Sequence, residues 1–78
     1  NMNDLTDLKD DIVAYLFIVP SATAYEIAED FEWDLDDVQD SLIELDDEGK
    51  VLMRNGWYRL SEFSRKRKHL QDSNNSIK

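Results

Sequence analysis

Apolar residues return at three- and four-residue intervals through the start of the chain: Leu5, Leu8, Ile12, Tyr15, Leu16 and Val19. That spacing predicts the buried stripe of a first helix. Asn3 or Thr6 would cap it, Pro20 would stop it, and Asp4, Asp7, Asp10 and Asp11 would face solvent. Thr23-Ala24-Tyr25-Glu26 reads as a capping box, with threonine taking an amide of the first turn and glutamate reaching back. It predicts a short second helix from about Ala24 to Glu32, with Ile27, Ala28 and Phe31 inward. Asp34 is a good cap for a third helix, and Asp36 and Asp37 suit the positive end of its dipole. Val38, Leu42 and Leu45 form its apolar stripe. Gly49 follows as the left-handed terminator.

Beyond Gly49 the period changes. Residues 50–54 and 57–60 are two short runs separated by Asn55-Gly56. Both positions of a type I′ turn need positive φ, so Asn-Gly between such runs predicts a hairpin. Ser61 can cap a fourth helix carrying Phe63, Arg67 and Leu70. The chain therefore divides into a folded domain over 2–62, a basic C-terminal helix over 63–71 and a polar tail over 72–78. Asn1 ahead of Met2 has the look of a residue left by tag removal.

Charge sharpens this picture. Residues 1–48 hold sixteen acids and one base, Lys9, for a net −15, whereas residues 49–78 hold eight bases and two acids, for +6. The break coincides with the change from helix to hairpin. A chain polarised in this way offers two faces with opposite preferences for partners. At 78 residues the core is modest, so stability depends on close packing or on association. With no cysteine there is no disulfide, thiolate metal site or thiol nucleophile. The longest apolar run, Ile12 to Pro20, is too short to span a membrane, and acids precede it where a signal peptide has bases. These features suggest a cytoplasmic protein that does not engage a membrane.

The order helix, helix, turn, helix, hairpin resembles the winged helix-turn-helix family over roughly Leu8 to Leu60. Thr23, Glu26-Ile27-Ala28, Phe31, Trp33, Val38, Leu42, Leu45, Gly49 and Val51 carry the resemblance. It implies that Ala28 lets the third helix cross closely, that Val38 packs inward five residues after Trp33, and that Gly49-Lys50-Val51 leads into the wing. The expected fold is mainly α with a small β-hairpin: a three-helix core, a two-stranded wing and a C-terminal helix. Two features depart from the family pattern. Glu32 stands where a glycine is usual, which implies a longer or strained turn. The helix that would enter a major groove carries Asp36, Asp37, Gln39, Asp40, Ser41 and Glu44 at its exposed phases, where readers of DNA carry bases and amides. Carboxylates there would meet phosphates, at about 1–4 kcal/mol per unscreened contact.

Two functional expectations follow. In the first, the chain is a non-catalytic regulatory or adaptor module. Its acidic third helix (Leu35, Asp36, Asp37, Asp40 and Glu44) faces a protein or mimics DNA. The bland alternative for that helix is a solvated face with dipole-stabilising aspartates. In the second, the chain is a dimeric DNA-binding regulator whose phosphate contacts come from Lys50, Arg54, Arg59, Arg65, Lys66, Arg67 and Lys68. The bland alternative for these bases is an internal counter-charge to the acidic helices. Trp33 fits a buried position, while Trp57 suits either an interface or packing on the third helix. Tyr15, Phe17, Phe63 and Leu70 could build a homodimer interface from the first and last helices. Phe17, off the main stripe, needs the C-terminal helix or a second subunit to cover it. No catalytic constellation, cofactor motif or metal-binding spacing is evident: His69 is the only histidine, no glycine-rich phosphate loop exists, and no calcium loop surrounds the aspartates.

Overall fold

The structure, a computed structural model, describes residues 5–65, with side chains from residue 7 onward. It is mainly helical with a small antiparallel sheet. The elements run α1 (Leu5–Ile18), β1 (Ala22–Thr23), α2 (Ala24–Phe31), α3 (Leu35–Asp47), β2 (Val51–Arg54) and β3 (Trp57–Leu60). A further helical turn spans 62–65. The expected cap Asn3, the helix over 66–71 and the tail 72–78 lie outside the described residues.

The helix signals act as their chemistry requires. Thr23 Oγ1 accepts from the Glu26 N–H (3.1 Å), and Glu26 Oε1 accepts from the Thr23 N–H (3.0 Å), closing the capping box. Asp34 Oδ1 accepts from the Asp36 N–H at 2.8 Å. Helix α3 ends in a Schellman arrangement: the Gly49 N–H donates to the Asp46 carbonyl and the Lys50 N–H to the Leu45 carbonyl, with Gly49 at φ 75°. Ser61 caps the last turn by accepting from the Ser64 N–H.

The α2–α3 turn explains the departure at Glu32. The Glu32 N–H donates to the Glu29 carbonyl and the Trp33 N–H to the Ala28 carbonyl. That closure needs a left-handed residue, and Glu32 adopts φ 58°, ψ 42°. The turn is strained rather than longer, at roughly 1–2 kcal/mol for a residue with a Cβ. Asn55 and Gly56, at φ 53° and 85°, form the expected hairpin turn.

The sheet corrects one expectation. It has three strands in the order β1-β3-β2, not two. Ala22 pairs with Tyr58 and Thr23 with Trp57, so the short link after Pro20 becomes an edge strand beside the hairpin. Thr23 thus ends a strand and caps a helix at once.

The core joins Ile12 and Leu16 of α1, Ile27 of α2, Val38, Leu42 and Leu45 of α3, and Val51 and Leu60 of the sheet, all essentially inaccessible. Tyr15, Phe31 and Trp33 pack beside it: Tyr15 meets Phe31 edge-on at 5.4 Å, and Phe31 stacks on Trp33 at 4.3 Å. The Tyr15 hydroxyl donates to Asp30 Oδ2 at 2.6 Å. That bond, with some burial, pushes the Tyr15 phenol up to about 12. Among the described residues, no helix is long and apolar enough to cross a membrane.

A candidate interaction surface

Helix α3 presents two chemically different sides. Val38, Ser41, Leu42 and Leu45 face inward. Opposite them in helical phase lie Asp36, Asp40, Ile43 and Asp47, at spacings of four, three and four residues. All four are exposed, and Ile43 is 57% accessible. A β-branched apolar side chain lies among three carboxylates, and among the described residues none of these carboxylates has an ion-pair partner.

The flank toward α1 behaves differently. Lys9 Nζ reaches Glu44 Oε1 at 3.1 Å and Glu48 Oε2 at 2.6 Å, clamping α1 to α3. Donation to Glu48 and then to Glu44 holds the Lys9 ammonium above its ordinary range, and Lys9 in turn holds the Glu48 carboxyl below its own. Lys50 adds a 3.5 Å contact to Glu48.

These positions revise the expected contact set. Asp36, Asp37 and Asp40 are exposed as expected. Glu44 is exposed but engaged by Lys9. Leu35, expected at the surface, is half-buried against the core. The reason is phase: residues 35, 38, 42 and 45 fall at spacings of three, four and three, a single apolar stripe. Ser41, also expected outside, is wholly buried, and its Oγ has no hydrogen-bond partner among the described residues. Ile43 and Asp47 were not expected to contribute. Their signal was available as the i+7 and i+11 positions from Asp36.

The basic set divides as well. Arg65 Nη2 donates to the Leu16 carbonyl at 3.2 Å, and its guanidinium lies 5.5 Å from the Phe17 ring centroid. It supplies a cation at the C-terminal end of α1, whose last turn contains none. Arg65 is therefore engaged within the fold by a carbonyl and a ring and not by a carboxylate among the described residues, and it covers half-buried Phe17 from the 62–65 turn. Lys50 is paired with Glu48, and its carbonyl accepts from the Ser61 N–H and the Ser64 hydroxyl. Arg54 and Arg59 are exposed on the sheet. Lys66, Arg67, Lys68, His69 and Leu70 lie outside the described residues.

Of the side chains expected at a homodimer interface, Tyr15 is occupied by Phe31 and Asp30, whereas Phe63 is exposed. Among the described residues, no group of three or more acidic or histidine side chains is arranged to hold a metal ion. The chain matches no protein-family model, no curated protein and no solved structure.

Proposed function

We propose that this chain is a winged helix-turn-helix module that acts by macromolecular contact rather than catalysis, presenting the outward side of α3 to a basic partner. The element order, the left-handed Gly49 ahead of buried Val51, and the burial of Ala28 on α2, which packs with α3, support the family reading. The observation that carries the functional reading is exposed Ile43 set among Asp36, Asp40 and Asp47. Capping of α3 needs only its first-turn acids, and Asp34 already provides the side-chain cap. Like charges one turn apart, such as Asp36 and Asp40, cost a few tenths of a kcal/mol per pair in an isolated helix. A face that keeps such a cost and adds an exposed isoleucine suits an apolar anchor with a charged rim.

A DNA-binding regulator is the second reading. The exposure of Arg54 and Arg59 together on the sheet favours it. In that case the outward side of α3 must stay clear of phosphates.

Fluorescence anisotropy separates the two. A short lysine- and leucine-rich peptide and a random DNA duplex are each titrated with the full chain at low and moderate salt. The α3 reading predicts peptide binding that weakens at least about tenfold, or 1.4 kcal/mol, in the Asp36→Asn/Asp40→Asn/Asp47→Asn variant. It predicts no duplex binding. Salt-sensitive duplex binding that improves in the same variant would establish the DNA reading instead.

A further inference from the structure

We infer that the outward face of the sheet receives the outward side of α3 from a second copy of this chain, so that copies associate head to tail. This rests on the reading of α3 above and names its partner.

The sheet register defines the receiving surface. Leu52 lies opposite Arg59, Arg54 lies opposite Trp57, and Thr23 flanks Trp57 on its other side. Residues directly opposite across a strand pair project to the same face. Leu52, Arg54, Trp57 and Arg59 therefore share one face, while buried Ala22, Val51 and Leu60 line the other, against the helices. Trp57 is 45% exposed and Leu52 43%. Among the described residues, Arg54 and Arg59 make no ion pair.

This surface is the chemical counterpart of α3. An indole and a leucine lie between two guanidinium groups on the sheet, and an isoleucine lies among three carboxylates on the helix. Trp and Arg are the side chains that most often anchor interfaces, and guanidinium–carboxylate pairs are the stronger charge-assisted bonds. Both faces point away from the core, so one copy cannot satisfy its α3 with its own sheet. The match is met between copies. It is heterologous, so it propagates into a ring or a filament according to the rotation between copies. The net charge of −9 opposes approach, which keeps the contact weak and reversible. Nucleic acid fits the sheet face less well, because two guanidiniums on so acidic a chain make a poor phosphate track.

The test is sedimentation velocity on the full chain over a concentration series. The wild type should show a concentration-dependent rise in sedimentation coefficient. Two variants should each weaken association at least about tenfold: Asp36→Asn/Asp40→Asn/Asp47→Asn, with an intact sheet face, and Arg54→Gln/Arg59→Gln, with an intact α3. An equimolar mixture of the two retains one competent contact and should form a heterodimer and nothing larger. All substituted residues are exposed, and circular dichroism verifies that each variant is folded. The inference is overturned if the wild type stays monomeric, if either variant alone associates as the wild type does, if the mixture fails to pair, or if association requires added DNA. A monomeric wild type that still binds the basic peptide through α3 would sink the second-copy partner alone. Loss of peptide binding as well would remove the α3 reading with it.

Discussion

The two exposed flanks of α3 carry the same residue chemistry and do different things. Toward α1, Glu44 and Glu48 share one ammonium, and their charges help hold two helices together. On the outward side, Asp36, Asp40 and Asp47 surround Ile43, and no cation among the described residues meets them. Acidity alone therefore does not mark a contact surface here. What separates the flanks is whether a cation among the described residues reaches them, and Lys9 is the only base among the first 48 residues.

Substitutions on each side of α3 should break this contrast in different ways. The largest effect belongs to the inward side. Leu42→Ala, at a fully buried position, should lower unfolding free energy by about 2–5 kcal/mol in urea denaturation. The turn that orients α3 offers a gain: Glu32→Gly removes the left-handed strain and should raise stability by about 1 kcal/mol. Ser41→Ala removes a buried hydroxyl that has no partner among the described residues. It should be neutral or raise stability by up to about 1 kcal/mol, and a marked loss would show that the hydroxyl is satisfied after all.

The clamp on the α1 flank makes a pH-dependent contribution whose sign follows from both partners. Lys9 is raised from 10.5, so its part is complete below that value and disappears as pH climbs through the folded value. Glu48 is lowered from 4.5, so its part is complete above that value and disappears as pH falls through the folded value. Lys9→Met should therefore be less stable than wild type across the window between those limits. The two proteins should converge at both ends, and added salt should narrow the difference throughout. A constant difference at every pH would leave the clamp without an electrostatic role.

The smallest effect belongs to the outward side. Asp40→Lys replaces like-charge neighbours with pairs to Asp36 and Glu44 at helical spacing. It should raise thermal stability by a few tenths of a kcal/mol while removing partner contact. Opposite movements of stability and binding are the signature of a surface kept for contact.

Most of the fold was legible in the sequence because its signals are local. Thr23 and Glu26, Asp34, Gly49 and Asn55-Gly56 each specify one cap or turn through their own chemistry, and each does so in the structure. The third strand was not legible. Two residues carry no alternation, and Ala22 and Thr23 become a strand only through Tyr58 and Trp57, more than thirty positions away. The candidate site is only half legible, because the phase of α3 is fixed by its packing and not by its polar residues. Leu35 and Ser41 read as outward by helical phase, yet the stripe through Val38, Leu42 and Leu45 turns Leu35 toward the core and buries Ser41. With that phase fixed, Ile43 falls on the exposed side. Arg65 shows a different limit: its place beside Leu16 and Phe17 depends on how the chain returns to the end of α1, which no local pattern encodes.

An amide-resolved NMR titration of the full chain with the lysine- and leucine-rich peptide tests the central claim most directly. The account predicts shifts concentrated at Asp36, Asp40, Ile43 and Asp47, with Leu42 and the Lys9 clamp little moved. Shifts absent from α3, or confined to the sheet, would contradict it.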